Sequence, residues 1–135
     1  MKSNISLFLG GTCNGSNWRD ILIPLLDKHV SYFNPVVPNW TPECQAAEIK
    51  ARETSDIVLY VITPKATGFY SIAEVIDDSN KRPAKTIFCY LSSDNGLEFT
   101  KHQIKSLDAT ATMVVGNGAM FCTSLQDVAN YINSL

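Results

Sequence analysis

Glu74 and Glu48 are the side chains of this sequence best placed to do chemistry. Glu74 ends the run Thr67-Gly68-Phe69-Tyr70-Ser71-Ile72-Ala73-Glu74, near the start of a predicted helix that follows an apolar strand at 56–63. In an open α/β sheet the ligand crevice lies outside the carboxyl ends of the strands, so a strand-loop-helix passage delivers first-turn side chains into it. Glu48 lies eight residues before Asp56, about two turns before its own helix hands over to that strand. Two carboxylates at one crevice suit cleavage of a bond to an anomeric carbon: one attacks or stabilises the cationic sugar, and the other manages the proton of the leaving group. Glu48 also fits a solvated helix face, where most glutamates sit. Tyr70 and Ser71 fall close to Glu74 by helical spacing and are candidates for touching the same ligand.

A second candidate region is Gly10-Gly11-Thr12-Cys13-Asn14-Gly15-Ser16-Asn17-Trp18-Arg19-Asp20. Its glycines allow close backbone approach, and the following helix N-terminus can face an anion. It has neither the lysine of a P-loop nor the spacing of a dinucleotide fingerprint. A tight strand-to-helix turn makes the same demands on sequence. Trp18 can wall a flat ligand by stacking or seal the helix against the core, and Arg19 reads as a surface charge.

These groups need a scaffold, and the hydrophobic pattern supplies one. Strands are predicted at 5–9, 32–37, 56–63, 85–91 and 120–122. Helices are predicted at 17–29, 41–55, 71–80, 99–113 and 125–135, with a polar loop at 92–96. Thr41, Pro42 and Glu43 give the second helix an N-cap, a first-turn proline and an early acid, and Ser124 is the cap candidate of the last. Strictly alternating strands and helices imply a parallel sheet covered on both faces. The expected architecture is a flavodoxin-like (Rossmann-like) three-layer α/β sandwich, five strands in the order 2-1-3-4-5. Its topological switch lies between the first and third strands, where the two loops above begin.

Composition narrows the class further. The 135 residues are 45% hydrophobic and 18% charged, enough for one domain spanning 1–135 with a single core. A net charge of -2 leaves no footprint for a nucleic-acid polymer or an anionic membrane, and a small molecule fits better. No run of about eighteen apolar residues spans a bilayer, and the N-terminal apolar stretch is cut by Gly10-Gly11, which argues for a core strand over a secretion signal. Cys13, Cys44, Cys89 and Cys122 form no CxxC pair, so a reducing, cytoplasmic setting is expected, with Cys89 as a small buried hydrophobe. No His, Cys and acid cluster has metal-ligand spacing, and neither metal nor cofactor is expected. His29 and His102 are expected at the surface, and Asp77 and Asp78 on a solvated face or an intersubunit contact.

The pattern Phe8-Leu9-Gly10-Gly11 with Trp18-Arg19, Phe33-Asn34-Pro35 with Trp40, Glu48 eight before Asp56, and Ser71-Ile72-Ala73-Glu74 resembles the nucleoside 2-deoxyribosyltransferase-like family from Ile5 to Leu91. The resemblance implies that Glu74 attacks the anomeric carbon of a nucleoside or nucleotide and forms a glycosyl-enzyme. It implies that Glu48 contacts the base or manages its proton, and that Thr12 and Asn14 approach the ligand, with Gly10, Gly11, Trp18, Trp40, Tyr70 and Ser71 completing the binding set. Interception by a second base makes such an enzyme a transferase, and interception by water an N-glycosidase. Family members commonly carry an aspartate six residues before the nucleophile, where this chain has Gly68, and a glycine after it, where this chain has Val75. A binding module for a nucleotide or signalling metabolite that keeps the cleft without turnover is the rival reading. Related transferases finish each pocket from a neighbouring chain, so a homodimer or larger homo-oligomer is expected.

Overall fold

Every residue of the strand Ile57–Ile62 is buried, as an apolar run covered on both faces of a parallel sheet demands. The computed structural model describes residues 2–13 and 15–135 and builds outward from this strand. In chain order the strands are β1 (Ile5–Gly11), β2 (Val30–Phe33), β3 (Ile57–Ile62), β4 (Thr86–Tyr90), β5 (Ser93–Asp94), β6 (Leu97–Glu98) and β7 (Met120–Cys122). The helices are α1 (Trp18–Leu22), α2 (Pro42–Thr54), α3 (Tyr70–Lys81), α4 (Lys101–Gly116) and α5 (Leu125–Ser134). Five strands pair in parallel in the order β2-β1-β3-β4-β7, with β5 and β6 apart as a hairpin. This is the flavodoxin-like α/β sandwich, its last sheet strand being β7 because the hairpin intervenes.

The two-residue period of the strands divides the core. Leu7, Leu9, Leu59, Val61, Ile87 and Cys89 face Trp18 and Leu22 of α1 and Val128, Ala129 and Ile132 of α5. Phe8, Val58, Tyr60, Ile62 and Phe88 face Val75 of α3 and Leu107, Ala111 and Val114 of α4. Cys89 is fully enclosed, as its apolar context suggests, and all four cysteines are free thiols. Among the described residues no helix is long and apolar enough to cross a membrane.

Several boundaries differ from the sequence expectation, each for a local reason. The first helix ends at Leu22 and passes into a 3-10 turn, Ile23–Leu25, because Pro24 has no N–H and its ring clashes with the turn before it. The second strand lies at Val30–Phe33 instead of 32–37, since Pro35 cannot donate to a ladder and the Asn34 side chain accepts from Val36 N (3.1 Å) in a turn. The fourth helix starts at Lys101 behind a Thr100/Gln103 capping box. The polar loop at 92–96 contains a hairpin turn, with Asn95 (φ 49) and Gly96 (φ 86) both in the left-handed region that an Asn-Gly turn uses. His102 is exposed as expected, whereas His29 is half-buried and its Nε2 is enclosed without a partner among the described residues.

Candidate active site

The first strand runs two residues beyond the expected 5–9, so Gly10 and Gly11 are strand residues paired with Tyr60 and Val61. A side chain at either would not fit. A Cβ on Gly11, whose φ is +116, would stand 2.0 Å from the Val61 carbonyl oxygen, and one on Gly10 would stand 2.6 Å from the Tyr60 ring. Close strand packing therefore requires both glycines, which also line the cleft described below. Thr12 follows, nearly enclosed, its Oγ1 accepting from Thr63 N (2.9 Å) and tying the ends of β1 and β3.

Trp18 is only 1% exposed, and its Nε1 donates to Thr12 O (2.8 Å). It seals α1 against the sheet, out of stacking reach of any ligand in the cleft. Arg19, expected at the surface, is buried. Its guanidinium donates to Leu9 O (2.9 and 3.2 Å) and Thr12 O (2.8 Å), absorbing carbonyls that the strand end leaves over, and it lies 4.4 Å from the Trp18 ring centroid. Asn14 lies outside the described residues.

Beyond β3, the chain enters α3 at Tyr70, which puts Glu74 one turn inside the helix and facing α2. Its side chain is 16% exposed, and Oε2 lies 3.4 Å from Arg52 Nη1. Burial pushes the Glu74 carboxyl up to about 7; Arg52 opposes the shift, and Glu48, Asp78 and Asp77 reinforce it. Glu48 is half-buried on α2, and burial raises its carboxyl too, against a hydrogen bond from the Trp40 side chain and the charges of Arg52 and Arg19.

The largest correction concerns Asp78. Expected at the surface or at a subunit contact, it is fully enclosed. Tyr60 Oη donates to its Oδ2 (2.6 Å), Arg52 meets both its oxygens (Nε to Oδ2 3.1 Å, Nη2 to Oδ1 3.0 Å), and Arg82 pairs with it one turn along α3. Asp77 remains half-exposed and pairs with Arg52 and Lys81, each at 3.1 Å. Burial and the bond to Asp78 raise the Tyr60 hydroxyl, which keeps it a neutral donor. Sequence reading missed Arg52 and Tyr60. The signal for Arg52 was its place four residues after Glu48, which stacks the two on one helix face.

These groups border a cleft of about 300 Å³, the lower end of the size usual for small-molecule sites. It is lined by Phe8, Gly10 and Gly11 of β1 with Cys13 after it, Arg19 of α1, the Pro35-Val36-Val37 segment and Trp40, Glu48 of α2, and Tyr70, Ser71 and Glu74 of α3. A side pocket of about 170 Å³ opens beside it, lined by Thr12, Ile62, Ala66, Thr67 and Gly68 and sharing Gly11, Cys13, Tyr70 and Ser71. The structure thus gathers Glu74, Glu48, Gly10, Gly11, Trp40, Tyr70 and Ser71 in one cleft and Thr12 in its annex, and leaves Trp18 in the core.

A desolvated carboxylate beside one cation, with a second carboxylate lining the same cleft, can serve as nucleophile with a proton carrier nearby. Residues 4–94 match the family model described as nucleoside 2-deoxyribosyltransferase like, and every residue lining the cleft falls inside that segment. Comparison with curated proteins gives no match.

Proposed function

The chain belongs to the nucleoside 2-deoxyribosyltransferase-like family, and on that premise we propose that it transfers or hydrolyses the (2-deoxy)ribosyl group of a nucleoside or nucleotide through Glu74. The observation that carries this reading is the placement of Glu74: mostly withdrawn from water, paired with Arg52, and lining the cleft beside the carboxyl end of β1. The Glu74 carboxylate attacks the anomeric carbon, the carbon–nitrogen bond breaks, and its electron pair leaves with the base. Glu48, whose burial favours the protonated form, supplies or shares the proton the departing base takes up. The resulting glycosyl ester is opened at the same carbon by a second base, giving transfer, or by water, giving hydrolysis, and the Glu74 carboxylate is released.

Trp40, 57% exposed at the rim and bonded to Glu48, would lie against the base, and Ser71 with the side pocket of Thr12, Thr67 and Gly68 would take the far end of the sugar. Gly68 places no acid there, which accommodates a free or phosphorylated 5-position. The same Gly68 supports the rival, a nucleotide-binding module without turnover.

Incubation with a panel of deoxynucleosides, ribonucleosides and their monophosphates, with and without a second free base, tests these readings. A new nucleoside means transfer and free base alone means hydrolysis. Silence across the panel, with ligand binding retained, would establish the binding module instead. A 2-fluoro-arabinosyl nucleoside carrying a good leaving base should leave one added sugar on Glu74, because fluorine slows breakdown of the ester.

The reading extends to assembly. Tyr70 (71% exposed), Trp40 and Val36 line the cleft and are exposed, and Phe69, the residue before Tyr70, is 82% exposed; a second copy of the chain would cover these apolar side chains. Light scattering should show at least a dimer at micromolar concentration. A monomer that turns over would defeat this part of the proposal.

A further inference from the structure

Among the described residues Arg52 is the only cation paired with Glu74, and three carboxylates share it. Its Nε and Nη2 form a fork on the two oxygens of Asp78 (3.1 and 3.0 Å), while Nη2 also reaches Asp77 (3.1 Å). Only Nη1 is left for Glu74, at 3.4 Å. The fork has a fixed base, because Asp78 is fully enclosed and is held in turn by the Tyr60 hydroxyl and by Arg82. A bidentate guanidinium cannot rotate without breaking one of its two bonds, so Nη1 points to one place.

We propose that Arg52, anchored on Asp78, is a positioning residue for glycosyl transfer: it holds Oε2 of Glu74 and presents Oε1 to the anomeric carbon. The inference rests on the nucleophilic role of Glu74. The contact distance supports it, since charge-assisted hydrogen bonds of this kind lie at about 2.7–2.9 Å. At 3.4 Å Arg52 aims and neutralises the carboxylate without the tight bond that would occupy the electron pair needed for attack. Tyr60 and Arg82 already contact Asp78, so enclosing that carboxylate does not account for the third arm of the guanidinium.

The groups whose charge Glu74 feels come from every neighbouring element: Glu48 and Arg52 from α2, Asp77 and Asp78 from its own helix, and the neutral Tyr60 hydroxyl from β3. Three of them are acids that push its protonation upward, and Arg52 alone pulls it down. Removing Arg52 therefore moves Glu74 out of line and makes it harder to ionise, two effects that separate experimentally.

Arg52→Gln and Arg52→Lys, measured beside the parent and Glu74→Gln, test this. In Arg52→Gln we expect kcat to fall on the order of a hundredfold, the cost of misplacing a reacting group by about an ångström, with KM little changed. Carbon-13 titration of the Glu74 carboxyl, which needs no substrate, should show its midpoint at least one pH unit above the parental value. Arg52→Lys should return the midpoint toward the parental value without restoring kcat, because a point charge cannot hold Asp78 and aim at Glu74 together. Parental kcat in Arg52→Lys, or an unmoved Glu74 midpoint in a folded Arg52→Gln, overturns the proposal. Should the Gln variant not fold, the Lys variant decides alone on kcat. A parent that processes no nucleoside at all would instead remove the premise about Glu74, and a parent that does so with an undiminished Arg52→Lys would remove only the role of Arg52.

Discussion

At the scale of single residues, the ionisation of Glu74 makes a definite demand on rate. The proposed attack requires the carboxylate, and burial first, opposed by Arg52 and reinforced by the acidic neighbours, holds the group at about 7. The kcat/KM of the free protein should therefore rise about tenfold per pH unit below that value and flatten above it. A profile that stays level from acid to neutral pH would count against an ionised Glu74. Glu74→Gln keeps the shape of the side chain and loses the charge, so chemistry should vanish while ligand affinity, read by calorimetry, stays within about tenfold, or roughly 1.4 kcal/mol. Glu48→Gln should retain partial activity with an altered pH profile. The two glutamates were legible because each sits at a fixed offset from the central strand. Asp78 was misread and Tyr60 missed because their partners come from β3, α2 and α3 at once, and a one-dimensional pattern carries no cross-element side-chain contacts. Arg19 failed for a similar reason: an arginine on a short helix reads as solvated until the strand carbonyls beneath it are known.

At the scale of elements, the hairpin β5–β6 acts on the site from outside it. Asp94 accepts from Ser16 Oγ at 2.6 Å, Asn95 reaches Asn17 at 3.5 Å, and Lys65 Nζ donates to Gly15 O at 3.2 Å, so the stretch between β1 and α1 is braced from two sides. Asp94→Ala removes the shortest of these ties. Stability should drop by about 1.5–3 kcal/mol, the usual worth of a hydrogen bond to a charged group, and KM should rise several-fold with kcat nearly kept. A KM equal to the parental one would show that the brace does not reach the ligand. The hairpin itself was hidden in the sequence because two-residue strands carry no periodicity, although Asn95-Gly96 is the turn signal that marks it. Longer elements were readable from apolar alternation and caps such as Thr41, Thr100 and Ser124. Their ends were not, wherever a proline such as Pro24 or Pro35 decided them.

At the scale of the whole molecule, the site weakens the fold that holds it. A carboxyl whose folded pKa is raised from 4.5 to about 7 binds more protons folded than unfolded, so its contribution is most favourable in acid and declines as pH rises across that window. The cost above pH 7 is on the order of 3 kcal/mol. Glu74→Gln should thus melt above the parent at pH 8 and close to it at pH 5 by calorimetry, and a lower melting point at pH 8 would refute the account of a carboxyl raised chiefly by burial. The family match ends at residue 94, yet β7 pairs with β4 and α5 packs Val128 and Ile132 against the strands that carry the site. Truncation at that boundary would bare one sheet edge and part of the core. Finally, all five sheet strands run toward the cleft, while α5 returns so that the Asn133 carbonyl accepts from the Lys2 side chain and the Asn133 amide side chain meets Leu25 O (2.9 Å) and Asp27 N (2.8 Å). The beginning and end of the described chain are therefore neighbours, and none of the residues that join them lines the cleft or its side pocket. The linear order of the elements is then a convention of the chain more than a requirement of the fold. A circular permutant, joined by a short glycine-serine bridge between residues 135 and 2 and opened at the exposed turn before Gly118, should assemble the same sheet and keep the parental nucleoside kinetics.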